Sequence, residues 1–294
     1  MKTLLVLGIN GMLGSAGLRC ITSKNINIDL LSSYSNQRKF EFLSKNYKNI
    51  HSDKFIKFNI LEDDLSILPK NIDIVINCIG VIKPFIDENN ITNVKNAIKI
   101  NSNFPYQLSE YFNKSIIFQI ATDCVFSGSK GNYDENSKHD CIDIYGKTKS
   151  LGEVKAENFF NVRCSIIGRE VLSKYSLLEW FLSQNSDQNI NGFTDHVWNG
   201  LTTTCFFELL ISIIVNDIKI PNNIHLKPSD KVNKYELLKL FKNKFIKDIE
   251  IKPLNSKNYC DRSLDTVHPD INELVWKKSI YKKKLTIEEM INNL

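Results

Sequence analysis

Short apolar runs alternate with segments of helical periodicity through the first half of the chain. The runs at 3–7, 28–33, 56–59, 72–78, 116–121 and 160–164 are rich in β-branched residues and apolar on both faces, as expected of strands covered by helices on both sides. Helix-like segments at 11–22, 93–112 and 145–158 fall between them. The alternation predicts a parallel, doubly wound α/β sheet with right-handed crossovers. After about residue 165 the rhythm changes. Helices at 176–183 and 202–215 flank a loop with Gly192 and Gly200, and a short strand follows near 223–227. The stretch 231–245 is amphipathic, with Leu237, Leu238, Phe241 and Phe245 at helical spacing. There is no internal repeat and no long linker. The pattern predicts a first domain over 1–165 and a smaller α/β lobe mainly from 166–294, with some segments returning to the first domain. A ligand crevice is expected between them.

Composition narrows the class. Of 294 residues, 42% are hydrophobic and 24% charged, which excludes wholesale disorder and fibrous repeats. The net charge of +5 is spread out, so it suits an anionic ligand such as a nucleotide as well as it suits plain solubility. Nucleic-acid binding would need clustered basic and aromatic residues. The seven cysteines are odd in number and form no Cys-x-x-Cys pair, which speaks against a disulfide framework or structural zinc and for reduced thiols. His51, His139, His225 and His268 are scattered, and no metal site is expected. The N-terminal apolar run is too short for a secretion signal. The run 205–215 is broken by Glu208 and Ser212 and falls short of the ~20 residues of a membrane span. A soluble cytoplasmic protein with no membrane partner is expected.

The first strand runs into Gly8-Ile9-Asn10-Gly11-Met12-Leu13-Gly14. In a strand–turn–helix setting, Gly8 permits a tight turn, Gly11 lets the backbone approach a pyrophosphate, and Gly14 lets the helix pack on the strand. The free N–H groups at Asn10 to Leu13 then face phosphate at a helix N-terminus. This is a dinucleotide-binding signature of the Rossmann type; the alternative is a structural turn. The second strand ends Ser32-Ser33-Tyr34-Ser35-Asn36-Gln37-Arg38-Lys39, with no acid in place for a ribose diol. Ser33 and Arg38 suit the 2′-phosphate of NADPH, with NADH the alternative. Asn59 and Ile60 after the third strand, and Cys78, Ile79 and Gly80 after the fourth, complete the expected cofactor set.

Tyr145 and Lys149 stand four residues apart, on one face if the segment is helical. An ammonium there would lower the phenol pKa from ~10 toward neutrality, and such a tyrosine can protonate a ketone oxygen as hydride arrives. The fifth strand ends at Thr122-Asp123-Cys124, where function gathers in such sheets. Thr122 could hold the same carbonyl; a strand-end turn is the plainer reading for Thr122 and Asp123.

With these residues in place, the chain resembles the extended short-chain dehydrogenase/reductases, in particular the dTDP-4-dehydrorhamnose reductase-like sugar-nucleotide group. GINGMLG at 8–14, INCIG at 76–80, NSNFPYQL at 101–108, ATDCVFSG at 121–128, YGKTKSLGE at 145–153 and VRCSIIG at 162–168 carry the resemblance, in family order. GFTDHVWNG at 192–200 is similar but less specific. The resemblance implies an NAD(P)-binding Rossmann domain, a sugar-nucleotide lobe, and NAD(P)H-dependent reduction of a 4-keto nucleotide sugar for surface polysaccharide (lipopolysaccharide or capsule) synthesis. It implies Tyr145 as general acid, Lys149 as its partner, Thr122 as the carbonyl-orienting hydroxyl, and Gly8, Gly11 and Gly14 as the cofactor loop. A homodimer through the helices at 93–112 and 145–158, as in many relatives, is a further expectation of the resemblance.

Departures leave other readings open. The segment 132–144 lacks the family's prolines, and Val81-Ile82-Lys83-Pro84-Phe85 replaces its usual segment after the fourth strand. Lys83 either touches substrate or faces solvent. Trp198 either stacks on a nucleotide base or packs the lobe. Cys124 stands where dehydratases carry a glutamate, so dehydration lacks its acid. Cys124 also has the spacing of the epimerising cysteine in GDP-fucose synthase-type enzymes, and His196 would be its partner in an epimerase-reductase. A non-catalytic dinucleotide-binding protein is the third reading, against which both Tyr145 and Lys149 are present.

Overall fold

The computed structural model describes residues 1–24, 26–45, 52–186 and 188–294. His51 lies outside the described residues. A seven-stranded parallel sheet forms the centre. In chain order its strands are β1 (Lys2–Leu7), β2 (Ile28–Tyr34), β3 (Phe55–Lys57), β4 (Ile74–Asn77), β5 (Ile116–Thr122), β6 (Phe159–Cys164) and an edge strand, Asn223–His225. In space they run β3-β2-β1-β4-β5-β6 and then the edge strand. The order reverses between β1 and β4, which opens a crevice at the carboxyl ends of these strands. The doubly wound, Rossmann-like α/β fold expected from the alternation is the observed one. The edge strand belongs to the second half of the chain yet extends the main sheet, pairing Ile224 with Val162.

The helices are α1 (Met12–Thr22), α2 (Gln37–Ser44), α3 (Ile91–Ala97), α4 (Phe104–Tyr111), α5 (Ile144–Leu151), α6 (Leu177–Ser183), α7 (Thr203–Val215), α8 (Lys234–Phe245), α9 (Pro269–Lys278) and α10 (Ile287–Asn292). Strand β1 shows how the two faces divide. Leu4 and Val6 join one core with residues of α1 and α7, while Leu5 and Leu7 join the other with Phe104 and Leu108 of α4. Period-2 alternation of an all-apolar strand therefore fills both layers. Helices α1 and α7 approach closely because Gly17 has no side chain; a Cβ there would stand 2.1 Å from the Phe207 ring.

Two expected helices take a different form. The run 93–112 contains a π-helical turn, Ile98–Asn103, between α3 and α4. Pro105 has no N–H to give the Asn101 carbonyl, and the widened turn directs Asn101 and Ser102 at α5. The helix expected over 145–158 stops at Leu151 with Gly152 as its C-cap. A Cβ on Gly152 would lie 1.9 Å from the Asn101 carbonyl oxygen, so only glycine lets the chain turn there toward β6.

Short strands build the rest. His196–Trp198 lies between Val232–Asn233 and Cys260–Asp261, and Asn189–Phe193 pairs with Glu250–Leu254. These late pairings cover Trp198, which is 8% exposed and part of the main core. Trp198 thus packs into the core and does not line the cavity described below. Among the described residues no helix is long and apolar enough to cross a membrane.

Candidate active site

The loop after β1 is built around backbone needs. Gly8 has φ +84°, a left-handed value that glycine adopts without strain. Its N–H reaches the Ser33 carbonyl at 3.2 Å and the Ser33 hydroxyl at 3.1 Å. Ser33 is fully buried, so it buttresses the loop and does not reach a ligand. Asn10 Oδ1 accepts from the N–H groups of Ser35 (2.9 Å) and Asn36 (2.8 Å), tying the loop to the end of β2. Asn10 Nδ2 is buried without a partner. A Cβ on Gly14 would fall 2.3 Å from the Gly8 carbonyl oxygen, which is why helix and strand can meet here. Gly11 starts α1 with no side chain over the first N–H groups.

A cavity of about 440 Å³ lies over this turn. Gly11, Met12, Leu13, Cys78, Ile79 and Gly80 line one part of it, and Thr122, Asp123, Cys124, Tyr145 and Lys149 another. A second cavity of about 270 Å³ is lined by Gly8, Asn59 and Ile60. The two share Ile79, Gly80, Val81 and Phe85 as a common wall. The residues fit an extended dinucleotide: a glycine cradle that a Cβ would fill, an uncapped helix N-terminus and an orphaned amide.

Helix α5 carries Tyr145 and Lys149 into the larger cavity. Asp143 caps it, accepting from the Gly146 N–H at 2.8 Å, and Lys83 bonds the other Asp143 oxygen at 2.8 Å. Lys83 thus clamps the loop after β4 onto α5 and does not line the cavity. Asn101 Oδ1 accepts from the Val81 N–H at 3.0 Å, and its Nδ2 donates to the Val81 carbonyl (2.9 Å) and to Thr148 (3.3 Å). The π-helical turn therefore sets both the cavity wall and α5.

The electrostatics depart from expectation. Burial first, then Cys124, raises the Tyr145 phenol above its ordinary pKa, while the Thr122 hydroxyl works the other way. The phenol stays protonated at neutral pH. Burial pushes the Lys149 ammonium down to about 8, with Glu153 and Cys78 opposing. Lys149 Nζ donates to the Ile120 carbonyl at 2.7 Å. Burial, then Asp123, raises the Cys124 thiol to about 12, so it is no thiolate base at neutral pH. His196 bonds Ser256 and the Asn258 carbonyl at 3.0 Å and is not part of the cavity wall that holds Cys124. The pair that an epimerase would need is not brought together.

At the cofactor end, Arg38 is exposed, and the neighbouring Lys39 lines the cavity. Asn36 caps α2 through the Lys39 N–H, and this start point decides which basic residue turns inward. A strap at 170–176 also lines the cavity. Lys39 Nζ reaches Ser173 at 3.5 Å, Glu170 bonds Ser173, and Tyr175 meets Phe85 edge-on at 4.7 Å. Arg262, far along the chain, donates to the carbonyls of Phe126 (2.8 Å) and Ser127 (3.2 Å). Its charge partly offsets the burial that raises the Asp123 carboxyl. Asn101 lies in one of the segments that carries the family resemblance, whereas nothing local marks Glu170, Ser173 or Arg262.

The sequence matches the RmlD substrate binding domain family over residues 1–266. The chain belongs to this family. No curated protein matches the chain significantly. Among solved structures, a dTDP-4-dehydrorhamnose reductase from Clostridium acetobutylicum is 18% identical, with 99% of this chain and 98% of that one covered and a TM-score of 0.74. The Bacillus anthracis dTDP-4-dehydrorhamnose reductase in complex with NADP is 16% identical, covering 100% and 98%, TM-score 0.73. A UDP-glucuronic acid 4-epimerase from Bacillus cereus in complex with NAD is 15% identical, covering 99% and 94%, TM-score 0.72. At these identities the likeness is one of fold.

Behind the site of this RmlD-type chain lies a buried polar network. Arg163 on β6 is 3% exposed and bonds the Glu153 carboxylate. It also reaches Nε2 of His225 at 2.6 Å and Nε2 of His139 at 3.0 Å. A guanidinium only donates, so both imidazoles accept at Nε2 and are neutral. Nδ1 of His225 then donates to the Asp265 carbonyl at 2.8 Å, and Nδ1 of His139 to Ser150 at 2.7 Å. Burial first, then the Arg163 charge, lowers the His225 pKa to about 4. An unfolded histidine titrates near ~6.5, so between ~6.5 and ~4 the unfolded chain binds a proton that the folded one refuses. Stability is full above that window and falls as the pH drops through it. Urea unfolding should show a midpoint that declines below about pH 6.5, with a shallower decline in His225→Gln; equal slopes would refute this.

Proposed function

We propose that this chain is a reductase using NADPH to reduce the 4-keto group of a nucleotide-linked deoxysugar. One observation carries the reading: Tyr145, Lys149 and Thr122 line the same cavity as the glycine turn. The reductase relatives, one of them bound to NADP, support it.

Gly8, Gly11 and the first N–H groups of α1 would hold the diphosphate, Asn59 and Ile60 the adenosine end, and Cys78 to Gly80 the nicotinamide side. When bound, the nicotinamide supplies a hydride donor. Lys39, with no acid beside the end of β2, supports a 2′-phosphate and hence NADPH. Thr122, at the carboxyl end of β5, orients the substrate carbonyl. Tyr145 gives its phenolic proton to the carbonyl oxygen, and burial keeps that proton in place until it is needed. Lys149, still largely an ammonium at pH 7, stabilises the phenolate left behind. Asp123 and Cys124 line the sugar side without acid–base work. The product would feed surface polysaccharide assembly in the cytoplasm.

The test is oxidation of NADPH, and separately of NADH, followed at 340 nm with a panel of 4-keto nucleotide sugars. Turnover with at least one member, faster at equal NADPH than NADH, is expected. No turnover with any of them would sink the reading.

A further inference from the structure

We propose that Glu88 is a positioning residue for Tyr145: from the loop after β4 it holds the residue that precedes the phenol. The proposal rests on the acid role given above to Tyr145. Glu88 Oε1 accepts from the Ile144 N–H at 2.8 Å, across 56 residues of chain. Ile144 is the first residue of α5 and Tyr145 the second. On the other side of Tyr145, the Gly146 N–H donates to Asp143 at 2.8 Å, and Lys83 holds that carboxylate at 2.8 Å. The residue before Tyr145 and the residue after it are therefore each held by a carboxylate. One of these is carried by the loop after β4 and the other is gripped by it.

Capping alone does not account for this contact. Asp143 already caps α5 from its own stretch of chain, and at an exposed site water would serve the Ile144 N–H as well. What Glu88 adds is a fixed start for α5 relative to the cavity wall. The loop delivers it with little freedom. Lys83–Phe85 forms a short 3₁₀ turn, closed by the Phe85 N–H on the Ile82 carbonyl (2.9 Å) and the Ile86 N–H on the Lys83 carbonyl (3.0 Å). Asp87 then fastens the turn in which Glu88 sits. Its carbonyl accepts from the Asn90 N–H at 3.0 Å, its carboxylate from the Asn89 N–H at 3.0 Å, and its own N–H donates to Asn93 of α3 at 3.2 Å. The same loop walls both cavities through Val81 and Phe85, and Asn101 ties Val81 to Thr148 further along α5. One fastened segment thus sets the proposed cofactor seat and the phenol in register, as a proton donor needs if it is to meet the carbonyl that the hydride reaches.

The experiment uses protein labelled with ¹³Cζ-tyrosine, with the Tyr145 NMR signal assigned by Tyr145→Phe and recorded without substrate. Glu88 is exposed, so its variants leave the core intact. Glu88→Ala should move or broaden the Tyr145 signal. Glu88→Gln, which keeps an acceptor oxygen, should hold it near the wild-type position. In turnover, Glu88→Ala should lower kcat by about 10-fold, since a misplacement of about 1 Å can cost ~10²-fold. NADPH affinity and the urea midpoint should stay put, and Glu88→Gln should recover most of the lost kcat. An unmoved Tyr145 signal in Glu88→Ala overturns the proposal, and so does a loss of kcat that the glutamine variant does not recover. The signal is read without substrate, so a chain that reduces no keto sugar but shows the shift refutes the proposed reaction and leaves this inference standing.

Discussion

Tyr145→Phe is expected to lower kcat for the proposed keto-sugar reduction by at least about 10²-fold, the usual floor for general-acid catalysis. Phenylalanine keeps the ring, and with it the packing of α5 against the cavity wall. Only the hydroxyl is lost, and Thr122 can hold a carbonyl but is too weak an acid to replace the phenol. Affinity for NADPH, read by fluorescence titration, should stay close to that of the wild type, which separates a missing proton donor from a damaged cofactor site. Near-normal turnover by the variant would remove Tyr145 from the chemistry.

The second large effect is on stability. Arg163→Met should destabilise the fold by about 3–5 kcal/mol, the usual cost of leaving one partner of a buried ion pair behind. Methionine fills similar space but leaves the Glu153 carboxylate buried without its cation, and His225 and His139 without the donor to their Nε2 atoms. Adding Glu153→Leu should recover most of the loss, since exchanging a whole buried pair for apolar groups is often neutral. Denaturant unfolding of wild type, single and double variants measures both values. A single variant as stable as wild type would show that the network contributes little to the fold.

Why some of this was legible and some was not follows from sequence distance. Tyr145 and Lys149 share one helical turn, and Gly8, Gly11 and Gly14 share one loop, so spacing alone brings them together. Arg163 meets His225 across 62 residues and His139 across 24, and no local periodicity encodes such a meeting. At the end of β2 the structure puts Lys39 in the cavity lining beside an exposed Arg38, a difference that follows from where Asn36 starts α2 and that the run of basic residues does not itself encode. Trp198 sits in a segment that reads as irregular. Its two covering strands, Val232–Asn233 and Cys260–Asp261, come from chain so distant that their presence could not be foreseen. A neighbouring ammonium by itself would lower the Tyr145 pKa, but the spacing of two residues carries no sign of the burial that raises it.

The edge strand Asn223–His225 has a consequence for how such a scaffold can diversify. It seals the outer side of β6 and supplies His225 to Arg163, while the carbonyl of Asp265 holds that histidine from the tail. A chain cut after residue 165 would leave β6 as a naked edge, open to pairing with other molecules, and a stranded guanidinium beneath α5. The two halves are therefore poor candidates for recombination with foreign partners. New substrate preferences would have to arise by point changes in loops and strap, not by trading one half wholesale.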